Sequence, residues 1–530
     1  MTINKVKIGI IGSGPSGLAA AMPFLEYGES FDVTIITSGK SLFDKDVVSM
    51  QTALKNMSLD DQHKYWEEKK TKHKGIIPKK LFYGLETAYS NPSDLDLSKE
   101  IEFDISHSFG GLSNVWGANV AGLPKNDIKK FDNEIDLKKE FFEITKQFPI
   151  SGEEDDIDLN STYKISYNKK LLNYCSQAKK LLNKYLLNKN YFTINNFYLG
   201  LSKLSIINDE NDSDNSCKNT GLEMYGCNSN SIFNSSLHIN KIKEEINLLE
   251  DTLVEEIIFT DKGQGLLLYN NNSNSQIFFD KIIIACGTIE TSKLVLKSLR
   301  DHKKNSLIIK DSQKYFFLYF TFFRAMKNEE KNIIGLSQIF MQTEIDSHTF
   351  HLQLYHSVTL LKNSLKHYMP HFFTKFIYKF LDFFLSRIMI GVVYFPEEIS
   401  HHMQLTYDYD KNNYQIKKIK NRFFSPKYIF KILLKLSKFF PKFLSFPLPF
   451  YVKSKVGISQ HFGASLPYSK TSEIGTTNIK GQLIPFNNIY ISDCSSLPRI
   501  PSTPPTYLAM SNAFRISRNI INELIINNKK

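Results

Sequence analysis

The first forty residues alternate between apolar runs and polar or glycine-rich turns. Val6–Ile11 is a largely apolar run whose length is typical of a buried strand in a parallel sheet. Leu18–Tyr27 has the composition of a helix, and Asp32–Ile36 supplies a second short apolar run. This spacing predicts a strand–helix–strand unit of ordinary length.

The turn between the first strand and the helix carries three glycines. Gly12 permits a tight turn, Gly14 lets the backbone approach a pyrophosphate, and Gly17 allows the helix to pack closely on the strand. The carboxylate that ordinarily closes the second strand is absent, and Thr37 offers a weaker hydroxyl partner to a ribose. An NAD site and a glycine-rich turn without a ligand both remain open at this point. The candidate cofactor-binding residues of this segment are Gly12, Ser13, Gly14, Pro15, Ser16, Gly17 and Thr37.

Three later stretches alternate apolar and polar residues with the period of a strand. They are Tyr315–Arg324, Phe350–Val358 and Met403–Tyr409. A period of two is typical of strands that bury one face, so these stretches predict an antiparallel sheet.

The composition is that of a globular protein with more than one domain. The 530 residues, 42% of them hydrophobic, suffice for two or three domains with full cores. The five cysteines show no metal-ligand spacing, so no metal site is expected, and their wide scatter suits a reducing compartment. Because the first strand begins almost at Met1, no signal peptide is expected and the predicted location is the cytoplasm.

The net charge of +12 is concentrated in two aromatic and basic stretches, His371–Phe395 and Pro426–Phe450. In the second stretch, lysines at helical spacing form one stripe, and apolar residues surround much of the remainder. Interrupting charges and Pro441 exclude membrane-spanning helices, so both stretches predict peripheral contact with the anionic inner face of a membrane. The alternative is a pair of core helices with solvated lysines. Nucleic-acid binding is not expected, because the basic residues alternate with bulky apolar ones. The stripe consists of Lys431, Lys435, Lys438 and Lys442.

Further fragments follow in a characteristic order. Phe109–Gly117 contains two adjacent glycines, Lys281–Thr291 is an apolar run with a glycine turn, and Asn488–Asp493 is a short strand. Together with the N-terminal unit and Pro505–Met510, they resemble the glucose-methanol-choline (GMC) oxidoreductases, and within them the pyranose-oxidase-like and sugar-dehydrogenase branch. The resemblance implies FAD contacts at Gly110, Gly111, Ser113, Asn114, Val115, Val254, Ala285, Gly287, Asp493, Pro505 and Thr506.

The resemblance also implies the reaction and its base. Val115 stands where some members carry a histidine bonded to the flavin, so FAD is expected to be noncovalent. His461 stands at the position of the family's base, and a neutral imidazole suits removal of a hydroxyl proton. The family's second histidine or asparagine is replaced by Pro504, or by Thr503 if the match shifts by one residue. Either His461 acts alone, another residue substitutes, or the chemistry has changed.

The expected architecture is α/β, with a discontinuous Rossmann-like FAD-binding domain and an inserted α+β substrate domain carrying an antiparallel sheet. The FAD-binding domain is predicted over 1–305 and 455–530, with core segments near 1–45, 100–125, 240–305 and 455–530. The substrate domain is predicted over 306–454. The expected function is oxidation of a hydroxyl of a sugar or other alcohol, such as a lipid-linked sugar, by hydride transfer to FAD. The rivals are a reductase or redox-neutral isomerase, and a flavin-binding membrane protein without turnover.

Overall fold

The computed structural model describes residues 5–28, 30–40, 52–54, 56–70, 90, 94–131, 135–209, 211–212, 214–224, 226–227, 229–260, 263–270, 273–326, 329–356 and 383–527. The strands are β1 (Val6–Ile11), β2 (Phe31–Ile36), β3 (Leu95–Leu97), β4 (Phe197–Leu201), β5 (Asn247–Leu249), β6 (Leu253–Thr260), β7 (Gly263–Asn270), β8 (Ser273–Phe278), β9 (Lys281–Ile284), β10 (Ser306–Asp311), β11 (Lys314–Thr321), β12 (Ser337–Ile345), β13 (His348–His356), β14 (Ile388–Tyr394), β15 (His402–Asp408), β16 (Asn413–Ile419), β17 (Ser445–Lys453), β18 (Phe462–Gly463) and β19 (Ile489–Ile491). The helices are α1 (Pro15–Leu25), α2 (Leu59–Lys70), α3 (Lys125–Phe131), α4 (Lys138–Gln147), α5 (Asp156–Leu159), α6 (Ser176–Leu187), α7 (Lys189–Ile194), α8 (Ser235–Lys241), α9 (Thr288–Ser298), α10 (Lys427–Lys438), α11 (Phe440–Phe443) and α12 (Thr506–Asn527).

A five-stranded parallel sheet forms around β1 in the order β19-β9-β1-β2-β5. Ile8 and Ile10 in β1 are fully buried, as the apolar run predicts. The strands come from three distant parts of the chain, within residues 6–36, 247–284 and 489–491. α1 packs against α12, so the first and last helices share one core. The discontinuous Rossmann-like arrangement predicted from the sequence is confirmed.

A six-stranded antiparallel sheet has the order β17-β11-β14-β13-β12-β4. Its side chains alternate between two faces, as strand geometry requires. One face is apolar and includes Tyr315, Phe317, Leu352 and Val393, which are buried in one cluster with residues of α6 and α10. The opposite face carries polar side chains, and the candidate functional site is built on it.

Two smaller sheets complete the fold. β6, β7 and β8 form an antiparallel sheet, and a mixed sheet has the order β18-β10-β15-β16-β3. Of the predicted strands, Tyr315–Arg324 and Phe350–Val358 correspond to β11 and β13 in the six-stranded sheet, with residues 357–358 outside the described residues. Met403–Tyr409 corresponds to β15, which pairs with β10 and β16 and so belongs to the mixed sheet. The six-stranded sheet also extends beyond the predicted 306–454 range, because β4 pairs with β12.

The first predicted membrane stretch, His371–Phe395, is described only from residue 383 onward. Its later part includes β14, which pairs with β11 on one side and β13 on the other. Met389, Val393 and Phe395 are fully buried. The prediction that residues 388–395 lie on a membrane surface is therefore wrong, because this run is a central strand of the six-stranded sheet.

The second predicted membrane stretch, Pro426–Phe450, forms α10, α11 and part of β17. Much of its apolar side is core and packs on the apolar face of the six-stranded sheet, which is the alternative left open by the sequence. Among the described residues, no helix is long and apolar enough to cross a bilayer. The buried members of the stretch include Ile432, Leu433, Leu436, Phe439 and Phe443.

Substitutions on opposite sides of α10 test this assignment. Leu436 is 1% exposed and Leu434 is 47% exposed. We expect Leu436→Ala to lower the free energy of unfolding by about 2–5 kcal/mol, because it leaves a cavity in the core. Leu434→Ala on the same helix should cost less than about 1 kcal/mol. Urea unfolding measures both, and equal losses would contradict the packing of α10 on the sheet.

Candidate functional site

The glycine turn after β1 is shaped by backbone packing. Gly12 has a φ of +110°, and a Cβ there would lie 2.4 Å from the carbonyl oxygen of Ala285. A Cβ at Gly17 would lie 1.9 Å from the carbonyl oxygen of Gly12. Both positions therefore require glycine for packing. Gly14 differs, because a Cβ there would have no protein atom within 4 Å. Its backbone borders open space at the N-terminus of α1, which begins at Pro15 and continues into the buried Ser16.

A pair of hydroxyls joins this turn to its neighbours. The Ser13 and Thr37 side-chain oxygens lie 2.8 Å apart, and the Ser13 oxygen also accepts a 3.0 Å hydrogen bond from the Gly110 amide. Both side chains are buried. The Thr37 hydroxyl, predicted as a ribose partner, is thus bonded to Ser13, and this link connects the ends of β1 and β2 to the loop that contains Gly110.

The Gly110–Gly111 loop lies directly against the first turn. A Cβ at Gly111 would lie 3.8 Å from the Cα of Gly14, so these two glycines face each other. The Ser113 hydroxyl donates to the Gly110 carbonyl oxygen at 2.6 Å, and the Asn114 amide donates to the Phe109 carbonyl oxygen at 3.0 Å. These two side chains stabilise the loop itself.

Ser235 joins the two glycine segments and was not predicted from the sequence. Its amide donates to the Ser113 hydroxyl at 3.0 Å, and its own hydroxyl lies 2.9 Å from the Ser13 carbonyl oxygen, to which it donates. Asn234, just before it, caps α8 by accepting from the Ser236 amide at 2.9 Å. The Asn-Ser-Ser sequence indicates a helix start, but nothing in it indicates which loops the helix start meets.

The turn after β9 adds a third open glycine. Gly287 has a φ of +82°, and a Cβ there would have no protein atom within 4 Å. Its amide donates to the Asp493 carboxylate at 2.9 Å, and the Ser495 amide donates to the other carboxylate oxygen at 2.8 Å. Burial raises the pKa of Asp493. Asp493 therefore fixes the Gly287 turn to the end of β19.

His461 lies on the polar face of the six-stranded sheet. Its ring stacks on Tyr394 with centroids 4.3 Å apart and planes 16° apart. Its Nδ1 atom is buried and has no hydrogen-bond partner in the described part of the chain. Burial, followed by the charges of Lys314 and His351, holds the pKa of His461 well below its usual range. The imidazole is consequently neutral at physiological pH and is able to accept a proton.

Asp311, at the end of β10, holds the segment that carries His461. Its carboxylate accepts hydrogen bonds from the Gly457 amide at 2.9 Å and from the Ser459 hydroxyl, whose oxygen in turn accepts from the His461 amide at 3.0 Å. On the other side, the His461 carbonyl oxygen accepts from the Ser312 amide at 2.9 Å. Burial raises the pKa of Asp311 to about 6. The backbone of His461 is thereby fixed on both sides.

This arrangement of sheets and turns is shared with solved structures over nearly the whole chain. Pyridoxine 4-oxidase from Mesorbium loti aligns over 98% of this chain and 99% of its own, with a TM-score of 0.61 and 10% identity. Two variants of the formate oxidase of Aspergillus oryzae align over 99% of both chains, with TM-scores of 0.60 and 0.62 and identities of 13% and 12%. Both proteins are GMC oxidoreductases.

The fold is that of the GMC oxidoreductases. The resemblance found in the sequence is thus confirmed at the level of the fold. No protein-family model matches the chain, and no curated protein matches it either.

The remaining predicted residues of the GMC pattern lie at two places. Thr503, Pro504 and Pro505 are buried just before α12, which begins at Thr506. The Thr503 hydroxyl is buried without a hydrogen-bond partner, whereas Pro504 has no polar side-chain atom. Val115 is buried, and Ala285 follows β9. Val254 lies in β6 and packs against the apolar cluster that includes residues of the five-stranded sheet.

The open Gly14 and the packed Gly17 give a sharp comparison. We expect Gly17→Ala to destabilise the ligand-free protein by about 1–3 kcal/mol, because the new methyl group overlaps the Gly12 carbonyl oxygen. Gly14→Ala should leave the melting temperature nearly unchanged, since no protein atom is close, and should weaken dinucleotide uptake by entering the open space. Thermal melting and an FAD titration measure the two effects. Equal melting temperatures for both variants would contradict the packing described above.

Proposed function

We propose that this protein is an FAD-dependent oxidoreductase that oxidises a hydroxyl group of a small molecule to a carbonyl. The observation that carries the proposal is a half-buried, neutral His461 in a GMC fold whose glycine turns expose backbone without side chains. The solved neighbours are named as oxidases, which supports the same class of reaction.

The residues of the glycine turns fit FAD. Gly14, Gly111 and Gly287 present backbone without side chains, and the N-terminus of α1 offers amides and a dipole to a pyrophosphate. The Thr503 hydroxyl is an unpartnered buried group that a bound cofactor or substrate would satisfy. FAD, when bound, supplies the acceptor for a hydride. Since Val115 cannot form a histidyl bond, we propose noncovalent attachment, and acid precipitation should leave the flavin in the supernatant.

His461 takes the hydroxyl proton in this proposal. Nδ1 is buried, so we assign the proton transfer to Nε2. Stacking on Tyr394 orients the ring, and the hydrogen bonds from Ser312 and to Ser459 fix the backbone that carries it. A fixed, neutral imidazole is a competent general base.

Pro504 supports an alternative. It occupies the position of the family's second polar residue and cannot bind a hydroxyl. If Thr503 does not replace that function, bound FAD would serve a reduction or a redox-neutral isomerisation. A flavin-binding protein without turnover is the remaining possibility, and flavin bleaching by alcohols separates it from the enzyme.

Substitution of His461 tests the main proposal. We expect His461→Ala to keep its FAD and fold, and to lose about two to four orders of magnitude in the rate of anaerobic flavin reduction by alcohols. Because the pKa of His461 lies well below its usual value, the wild-type rate should fall only at pH values well under about 6.5. The groups that face the His461 ring are Lys314, His351 and Tyr394, and they influence the pH at which the rate falls. Pro504→Asn should raise the rate if alcohol chemistry persists, and an unchanged rate in both variants would mean that the proton is taken elsewhere.

We also propose that the protein associates peripherally with an anionic membrane and acts on an amphiphilic substrate such as a lipid-linked sugar. The chain has no acidic residue between Asp410 and Glu473, a span with thirteen lysines and arginines. Each basic residue near an anionic surface adds about 1 kcal/mol of attraction.

Exposed aromatic rings lie next to this basic span. Phe440 lies 5.7 Å from Phe322 and 5.7 Å from Phe446, measured between ring centroids, and Phe322 and Phe440 are exposed. The Arg387 guanidinium lies 3.9 Å from the ring centroid of the exposed Phe383. Aromatic rings beside cations are typical of side chains that bind at the headgroup level of a bilayer.

Two lysines of the predicted stripe already have protein partners. Lys431 forms an ion pair with Asp346, and the Lys435 ammonium donates to the Glu344 carbonyl oxygen at 3.0 Å. Neither is therefore a good test of membrane binding. Lys427, Lys438 and Lys442 are exposed and are better suited.

Replacing Lys427, Lys438 and Lys442 with glutamine should weaken sedimentation with phosphatidylserine vesicles by more than tenfold, since about 3 kcal/mol of attraction is lost. Salt should weaken wild-type sedimentation in the same way. The matched control replaces the exposed Lys125, Lys164 and Lys303, which lie outside the basic span, with glutamine and so changes the net charge equally. Equal sedimentation of the two triple variants would contradict a specific membrane-facing surface.

A further inference from the structure

Lys314 shares the polar face of the six-stranded sheet with the groups around His461. Lys314 at the start of β11 pairs with Tyr394 in β14, which pairs with His351 in β13. Directly opposed residues of neighbouring strands point to the same face, with Cβ atoms about 5 Å apart. Because Tyr394 also stacks on His461, the lysine ammonium and the imidazole border the same space.

In the part of the chain that the structure describes, no carboxylate forms an ion pair with the Lys314 ammonium, although the charges of Asp311 and Asp104 raise its pKa and partly offset the effect of burial. Asp311, the nearest acidic group in sequence, is bonded to Gly457 and Ser459 instead. Burial lowers the pKa of Lys314 to about 8, so the ammonium remains largely protonated at neutral pH.

Lys203 is a buried lysine near the same face, and its charge is paired within the protein. Its ammonium forms ion pairs with Asp155 and with Asp158, the latter at 3.4 Å. Burial, followed by the charge of the nearby lysine, lowers the pKa of a histidine of the site in each case, with Lys203 acting on His351 and Lys314 on His461. Lys203 has carboxylates in ion-pair contact, whereas Lys314 has none among the described residues.

Unpartnered histidine nitrogens lie beside this cation. The Nδ1 atoms of His351 and His461 are both buried and have no hydrogen-bond partner among the residues that the structure describes. His351 is fully buried, and its other ring nitrogen lies 3.2 Å from the Gln353 amide nitrogen. Buried polar groups are usually hydrogen-bonded, so this space is suited to a ligand with several polar atoms.

We propose that the molecule whose hydroxyl is oxidised also carries an oxyanion, either a carboxylate or a phosphate, and that Lys314 binds this group. The inference rests on the proposed function and names the substrate class for the same site. A half-buried cation flanked by neutral rings binds an anion more strongly than an exposed one does, because water screens the attraction less. An uncharged alcohol would leave the ammonium without an anion in direct contact, which is costly where water is partly excluded. The site therefore selects hydroxy acids or phosphorylated alcohols over neutral ones.

The first experiment measures anion binding without any substrate. Inorganic phosphate and acetate are titrated into the FAD-loaded protein, and both the flavin absorbance and the melting temperature are recorded. We expect both anions to bind wild type, and Lys314→Met to weaken the binding by about ten- to a hundredfold. Lys314→Arg should retain most of it. Lys453→Met is the matched control, since Lys453 lies on the neighbouring edge strand β17, opposite Tyr315 of the apolar face.

The second experiment compares matched alcohols. Anaerobic flavin reduction is followed with glycerol and glycerol 3-phosphate, and with propane-1,2-diol and lactate. Wild type should prefer the anionic member of at least one pair, and Lys314→Met should lose that preference mainly through KM. Equal rates within both pairs, or unchanged anion binding in Lys314→Met, would overturn the proposal.

Two outcomes distinguish a failure of this inference from a failure of the proposed oxidoreductase function. A protein that takes up no FAD would overturn the proposed function, while the rise in melting temperature with phosphate would still report on Lys314. A Lys314→Met variant that binds anions normally, and shows only a raised acid limit for flavin reduction, would mean that Lys314 acts on the His461 imidazole alone. That result would overturn the inference and leave the oxidoreductase standing.

Discussion

Parallel pairing around β1 is the constraint on which the site depends. β2, β9 and β19 all run in the direction of β1, so their carboxyl ends meet at one edge of the sheet. That edge collects the Gly12–Gly17 turn, Thr37, Gly287 and Asp493, which are separated by as many as 480 residues along the chain. The shared direction of the strands therefore determines where a ligand that contacts all of these turns binds, and the side chains only refine that position.

The six-stranded antiparallel sheet borders the other side of the candidate site, and its two faces differ in character. One face packs on helices and gains the hydrophobic stabilisation, while the other brings lysine, histidine and tyrosine side chains into a space with little water. The same burial that stabilises the domain therefore lowers the pKa of His461 and of Lys314. The basicity of His461 and the charge of Lys314 therefore depend on how far the polar face of the sheet is buried.

The sequence predicted the parts of this structure that are local. The glycine spacing identified the first turn, and an apolar run predicted β1 with the correct bounds. Lys314, Asp311 and Ser235 were missed, because their importance comes from partners that lie far away in sequence. The apolar side of α10 was ambiguous for the same reason, since a stripe of Ile and Leu is identical whether a sheet or a membrane covers it.

The position of β19 within the parallel sheet has a consequence for biosynthesis. β9 lies between β1 and β19, and β19 is formed by residues 489–491 of 530. During translation, β9 would have an unpaired edge for more than 200 residues of further synthesis. The order of the strands therefore leaves this edge open to non-native strand pairing until residues 489–491 have been made.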